Sequence, residues 1–431
     1  LFSLANGDKK DLSITETYIH KKINSLYGTL GINYNGWAFL DATFRNDWSS
    51  ALNKENRSFF YPSVSLSWVI SDMVGKVGKG MPEWFTYAKA RASFAQVGND
   101  MDAYQLYNTY SIGSDPNGNT TAGQGKTKYD ADVRSELITS WEAGAELKFF
   151  NNRLGVDFAW YKTNAKRQLM NIPLNNLSGY GNIQNTGIEI MLNARPIETT
   201  QFSWDTQLNF SQNKSKIIEL LPGKPGMQYA LGGSDALQVY AVAGGAYGEI
   251  WGTKYQRVEE GEFKGQLLLN ESGLPQATSD KHKIGEQQPD FLLGWTNTFN
   301  YKNFTLSFLI DGRFGGDIFS FTNMNLQRSG IAECTAPGGK REDIVVAGVI
   351  KDGNGYKVND QSVSLERYYK ALATGRAGIS EAYIYDATNI RLRNIALSYR
   401  FPSSMLKKTP FQQVKLGFTV NNVWMISSHL D

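Results

Sequence analysis

Cysteine is nearly absent: Cys334 is the single thiol in 431 residues, so no disulfide can close within the chain and no oxidative staple holds the fold. Histidine is almost as scarce. His20, His282 and His429 lie far apart in sequence, without the Cys or carboxylate spacing of a metal site. No Gly-x-Ser-x-Gly elbow occurs, and no other arrangement points to catalysis, so neither an enzyme, a metal nor a cofactor is expected. No apolar run approaches the ~18 residues of a spanning helix, and a mean hydropathy of -0.38 excludes a helical membrane protein. No charge sign dominates either. The net charge is +3, and Lys and Arg are scattered rather than striped, which argues against a nucleic-acid partner. The opening LFSLANGDKKDLS lacks the basic-then-apolar order of an export signal; the expectation is an internal piece of a longer polypeptide.

What is abundant is aromatic and turn-forming: 42 Gly, 22 Tyr, 23 Phe and 10 Trp, beside only 12 Pro. Such a composition suits strands and hairpins. Period-two alternation runs from end to end in segments of about nine to eleven residues, the length of a tilted strand crossing a bilayer. Ala38, Leu40, Ala42 and Phe44 alternate with Phe39, Asp41, Thr43 and Arg45. Phe202, Trp204, Leu208 and Phe210 oppose Ser203, Asp205, Gln207 and Asn209, and Phe304, Leu306, Phe308 and Ile310 oppose Thr305, Ser307, Asp311 and Arg313. About fourteen strand candidates follow from this pattern. In IRLRNIALSYRF the apolar set shifts by one residue between Leu392 and Ile395, which predicts a bulge near Arg393 and Asn394.

Alternation alone fits a soluble sandwich or a membrane barrel. Three features favour the barrel. Aromatics cluster towards segment ends (Phe59, Phe60 and Tyr61; Phe149 and Phe150; Trp160 and Tyr161), as in interfacial girdles. The polar face carries full charges, among them Asp41, Arg45, Glu142, Glu146, Asp157, Asp205, Asp311 and Arg313. Tight turns at Tyr34-Asn35-Gly36 and Asn151-Asn152-Arg153 alternate with long loops at about 98–136, 214–249, 258–288 and 314–383, the asymmetry of outer-membrane barrels. The fold class is therefore all-β, a transmembrane antiparallel β-barrel.

Nine blocks in the same order then resemble one family, the SusC/RagA-type TonB-dependent outer-membrane transporters. They are RNDWSSAL (Arg45–Leu52), FFYPSVSLSWVISD (Phe59–Asp72), RASFAQVGN (Arg91–Asn99), SWEAGAEL (Ser140–Leu147), GNIQNTGIEIMLN (Gly181–Asn193), VAGGAYGEIWG (Val242–Gly252), the run from Ile284 to Ile318, IRLRNIALSYRFP (Ile390–Pro402) and LGFTVNNVW (Leu416–Trp424). Collinearity over nearly the whole chain is what makes the resemblance specific. It implies that residues 1–431 are part of a barrel of ~22 strands, whose plug domain, TonB-gripped motif and closing strands are not in this chain. It further implies TonB-dependent uptake of oligosaccharides or oligopeptides with a SusD-like surface lipoprotein, in the outer membrane of a Gram-negative, Bacteroidota-like cell, with a dimer of the transporter–lipoprotein pair. A passive porin-like channel and a β-rich adhesin or binding module are the alternatives.

Loop aromatics Tyr240, Tyr247, Trp251 and Tyr255 are the candidates for stacking on sugar rings or peptide side chains; the plainer reading is a girdle or loop packing. Asp41, Arg45, Asp311, Arg313, Arg391 and Arg393 are expected to face the lumen, where they either hold a plug by ion pairs or line the passage, with ordinary pairing the simpler role for each. Asp352-Gly-Asn-Gly-Tyr356 lacks the acidic spacing of a calcium loop and reads as a hairpin turn. Gly244-Gly245 and Gly315-Gly316 read as bends or bulges.

Overall fold

The computed structural model describes residues 18–78, 80–107, 110–124, 132–168, 181–221, 223–375 and 378–427. Twelve strands form one antiparallel sheet in which each strand pairs with the next in the chain. They are β1 (Ile23–Tyr34), β2 (Ala38–Ser49), β3 (Ser58–Val69), β4 (Phe85–Asn99), β5 (Glu136–Phe149), β6 (Leu154–Gln168), β7 (Gly181–Glu198), β8 (Phe202–Glu219), β9 (Phe291–Tyr301), β10 (Phe304–Phe314), β11 (Asn389–Arg400) and β12 (Lys415–Ser427). The expected fourteen segments thus resolve into twelve strands of one sheet. The other strands belong to the long connections.

Register assigns the faces. Asp41, Ser65, Ser93, Glu142, Tyr161, Gly187 and Asn213 are directly paired across β2 to β8. On the opposite face Leu40, Leu66, Ala92, Ala143, Trp160 and Ile188 form the matching row. One face is therefore polar and charged, the other apolar, and the apolar one carries exposed large side chains such as Leu66, Trp68, Trp141 and Leu306.

The strands outrun the apolar band. Along β8 the apolar face holds Phe202, Trp204, Leu208 and Phe210 and then Gln212, Lys214 and Lys216. On β6 it holds Val156, Phe158 and Trp160 and then Lys162. Nine residues at ~3.3 Å each, tilted by roughly 40°, span about 20 Å, close to the ~25 Å band of a membrane barrel. Trp160 and Tyr161 consequently sit mid-strand, with β6 continuing to Gln168; it is the apolar band, rather than the strand, that ends at Trp160.

The longest connections all lie at the same end of the sheet. At one end lie 35–37, 150–153, 199–201 and 302–303, with somewhat longer links at 70–84, where a helix α1 (Ile70–Lys76) forms, and at 401–414. The tight turns are made by left-handed residues: Asn35 (φ 51°) and Gly36 (φ 73°) reverse β1 into β2, and Phe150, Asn151 and Asn152 reverse β5 into β6. Packed rings crowd this end, with Tyr34 edge to face with Trp37 at 5.2 Å, Phe85 stacked on Phe149 at 5.1 Å and Phe304 tilted against Tyr399 at 4.6 Å. At the other end are the described residues of 50–57, 100–135, 220–290 and 315–388. The loops expected at 214–249 and 258–288 are one insertion, because β8 runs on to Glu219 and no strand of the main sheet intervenes before Phe291.

The bulge stands where the slipped pattern puts it. Pairing of β11 jumps from Leu392 to Asn394 on both neighbouring strands. The extra residue, Arg393, keeps Leu392 and Ile395 on the apolar face although they are three apart.

Candidate functional site

The two largest insertions fold together into a head at the long-loop end. Residues 220–290 supply a four-stranded sheet from Gln228–Gly233, Leu237–Val242, Tyr247–Gly252 and His282–Glu286. Residues 315–388 supply α2 (Phe321–Arg328) and α3 (Leu365–Leu372). Serines cap both helices: Ser320 accepts from the Asn323 amide and Ser364 from the Arg367 amide. The insertions interlock through buried polar bonds. Thr253 Oγ1 donates to the Gly378 carbonyl and Ser380 Oγ to the Ala236 carbonyl, each at 2.6 Å. The Tyr255 amide donates to Glu381 Oε2 at 2.9 Å, and across the seam the Leu269 amide donates to the Val349 carbonyl and the Val349 amide to the Leu267 carbonyl. A core of Met324, Leu372, Ala373, Ile379 and Tyr383 lies under this junction. A smaller cluster of Ala51, Leu52, Met101 and Val133 joins the 50–57 and 100–135 connections.

The four loop aromatics separate into two kinds. Tyr240 and Trp251 share one face of the head sheet, edge to face at 6.2 Å, while Ile250 and Ala241 on the other face are buried. Trp251 Nε1 donates to Glu249 Oε2 at 3.0 Å, and Lys283 Nζ bridges Glu249 and Glu286 at 3.1 Å each. Burial pulls the Lys283 ammonium down, but the two carboxylates outweigh it and hold its pKa above the usual lysine value. A half-exposed platform of two rings beside a lysine and two carboxylates can stack on a ring and bond its hydroxyl or amide edges. Tyr247 is exposed at the Gly-rich end of this sheet. Tyr255 packs against the head core instead, next to Tyr368, Tyr369 and Tyr385, and burial pushes its phenol well above the ordinary tyrosine range. Glu249 and Lys283 escaped the sequence reading because they meet across strands 34 residues apart.

The charges of the polar face also divide. Arg45 Nε holds Asp47 at 2.8 Å, and Arg393 holds Asp311 through Nη2 at 2.6 Å. Arg313 donates to the Gln287 carbonyl. Arg391 and Asp41 have no side-chain partner among the described residues. The strongest network was missed as a unit: Arg91 clamps Asp157 with two bonds of 2.8 and 3.2 Å and lies 3.7 Å from Glu142. Its guanidinium crosses the intervening strand directly over Gly144, where a Cβ would come within 2.9 Å of it. Asp352 pairs with Gly355 around a two-residue hairpin turn, with Gly353 left-handed at φ 57°. Gly315 and Gly316, at φ 75° and 79°, turn the chain from β10 into the head. His282 opens a head strand, His20 precedes β1, and His429 falls outside the described residues.

Comparison with known proteins gives these surfaces a context. Residues 2–423 match the family described as TonB dependent receptor-like, beta-barrel. The chain is 27% identical over 430 residues to TonB-dependent receptor P3 of Formosa agariphila, across 93% of this chain and 40% of the relative. It is 25% identical to TonB-dependent receptor SusC of Bacteroides thetaiotaomicron, across 97% of this chain and 42% of the relative. The solved RagAB peptide importer in its open-open state shares the fold over all of this chain and 46% of its own, with a TM-score of 0.75 at 16% identity. The chain thus spans less than half the length of these relatives. With its meander of twelve antiparallel strands, apolar on one face and charged on the other, the chain belongs to the TonB-dependent receptor β-barrel family.

Proposed function

We propose that this chain is the barrel portion of an outer-membrane importer that takes up nutrients actively. The observation that carries the reading is the division of one continuous sheet into an apolar face ringed by aromatics and a charged face, with the folded head at the long-loop end only. An apolar face of this height belongs in hydrocarbon, which makes the charged face the wall of a passage and the head the outward, solute-meeting end. β1 and β12 are the edges of the sheet, and unpaired edges in lipid cost several kcal/mol per exposed group. In the working barrel further strands close it, and a plug from the rest of a longer polypeptide fills it. TonB acts on that plug. Oligosaccharides or oligopeptides are the solutes, a SusD-like lipoprotein covers the head, and the transporter–lipoprotein pair forms a dimer.

Membership of the family and the similarity to SusC support the transport reading. The Tyr240–Trp251 platform, with Tyr247 at its edge, supports a ring-bearing or amide-bearing solute; Tyr255 acts there through the head core. The test is uptake of labelled oligosaccharide and oligopeptide pools by cells carrying or lacking the full-length gene, with and without a protonophore. Gene-dependent uptake that the protonophore abolishes is expected. Uptake that survives the protonophore would replace the importer by a passive channel, and gene-independent uptake would leave a binding module.

A further inference from the structure

On the polar face of β10 and β11, just below the head, three guanidiniums gather around one carboxylate. Asp311 is the direct partner of Arg391, and Arg313 lies at the next same-face position toward the head. Arg393 reaches back from the bulge and places Nε and Nη2 on Asp311 Oδ2 at 3.1 and 2.6 Å. Arg313 spends one Nη2 bond on the Gln287 carbonyl. That leaves Arg313 Nε, Arg391 Nε and Asp311 Oδ1 buried without a partner. Together with Asn209 and Ser211 of β8, these side chains line a depression of about 380 Å³.

The arrangement is costly as it stands. Like charges on adjacent same-face positions repel, and a buried N–H without an acceptor has lost its water for nothing. One carboxylate offsets one of three guanidiniums, so the depression keeps a surplus of two positive charges. An anion seated in the depression would balance that surplus and accept from the parts of the Arg391 and Arg313 guanidiniums that line it. The planar fork of a guanidinium matches a carboxylate in particular. Three other arginines of the same face are already matched, Arg45 by Asp47, Arg91 by Asp157 and Arg195 by Asp205 and Glu198. Arg313 and Arg391 have no such ion pair among the described residues, although they flank a carboxylate.

We propose that this depression is a carboxylate-binding site in the passage wall, filled by a carboxylate of the imported solute or of a chain segment lodged inside the barrel. The proposal rests on reading the charged face as that wall. It is tested on the full-length protein in detergent, by calorimetric titration with citrate, in wild type, Arg391→Gln and the control Lys264→Gln on an exposed loop of the head. If solute supplies the carboxylate, citrate binds wild type and Lys264→Gln alike, and Arg391→Gln weakens it by roughly tenfold or more, the scale of a charged hydrogen bond. If a lodged segment supplies it, wild type takes up no citrate, and Arg391→Gln both lowers the melting midpoint and raises conductance in planar bilayers. Citrate binding that Arg391→Gln leaves unchanged would overturn the proposal. So would absent binding combined with unaltered conductance, whatever the midpoint does. Protonophore-sensitive uptake by wild-type cells is read separately, so the site can fail while the import reading stands.

Discussion

Single residues decide how the charged face is wired. Gly144 is the clearest case, because its missing side chain is what lets Arg91 cross from β4 to Asp157 on β6. Gly144→Val would collide with the guanidinium and with the Phe158 carbonyl, whose oxygen lies 2.7 Å from where a Cβ would stand. A loss of about 1.5–3 kcal/mol is expected, the worth of a charge-assisted bond plus local strain, measured as a lowered midpoint in urea unfolding from detergent. An unchanged midpoint would mean the clamp contributes nothing to stability. On the apolar face, Asn297 is fully buried and accepts from the Trp204 indole at 2.9 Å, while Trp295 donates to Thr206 at the same distance. In hydrocarbon no water can replace those donors, so the two indoles satisfy the Asn297 and Thr206 oxygens, while Asn297 Nδ2 stays buried without a partner among the described residues.

At the scale of elements, the bulge in β11 is a register device. Side-chain direction alternates strictly along a strand, so one residue more or less exchanges the faces of everything beyond it. Because Arg393 is the residue the bulge absorbs, deleting it should leave Ile395, Leu397 and Tyr399 on the apolar face in a plain ladder, whereas deleting Ala396, outside the bulge, should turn Leu397 and Tyr399 to the charged face and Ser398 to lipid. The expected result is loss of the heat-modifiable, folded band on gels for the Ala396 deletion and its retention for the Arg393 deletion. Equal folding of both variants would show that the pairing re-registers freely.

The head makes a second prediction at the same scale. Burial raises the phenols of Tyr255 and Tyr383 well above the ordinary range, and burial also raises Tyr368. A pKa raised on folding means that the neutral phenol is the form the fold favours. The resulting stability is whole below the unfolded value of about 10 and is lost as pH rises beyond it toward the folded values. Phenolate absorbance should therefore show a class of tyrosines that stays silent above pH ~10 and ionises together when the head opens. A single titration at the free-tyrosine pKa would contradict the buried cluster.

For the whole molecule, the edges govern behaviour. β1 is exposed along its length and β12 nearly so, and both present a free ladder of backbone groups. Residues 1–431 refolded alone in detergent are expected to associate edge to edge, giving masses above a protein–micelle monomer in light scattering. A monodisperse monomer would imply that the sheet closes on itself. The arrangement of tight turns at one end and long insertions at the other also gives the molecule a direction, since among the described residues the folded head stands at the long-insertion end.

The alternating strands, counted as about fourteen where the main sheet has twelve, their polar and apolar faces and the Arg393 bulge were legible along the chain, because each depends only on neighbours one or two positions away. The tight turns were legible for the same reason: Asn35-Gly36 and Asn151-Asn152 carry their left-handed conformations locally. The head was not. Thr253 meets Gly378 and Ser380 meets Ala236 across more than a hundred residues, and no short-range period marks such contacts. Tyr240, Trp251 and Tyr255 look alike in sequence, yet tertiary packing sends two to a shared face and one into a core. The same holds for the wall: Arg45, Arg313, Arg391 and Arg393 are equivalent as letters. Which of them find carboxylates and which are left bare was settled only when register and bulge fixed the distances between strands, because charge pairing falls off within a few ångströms whereas alternation is written in every second residue.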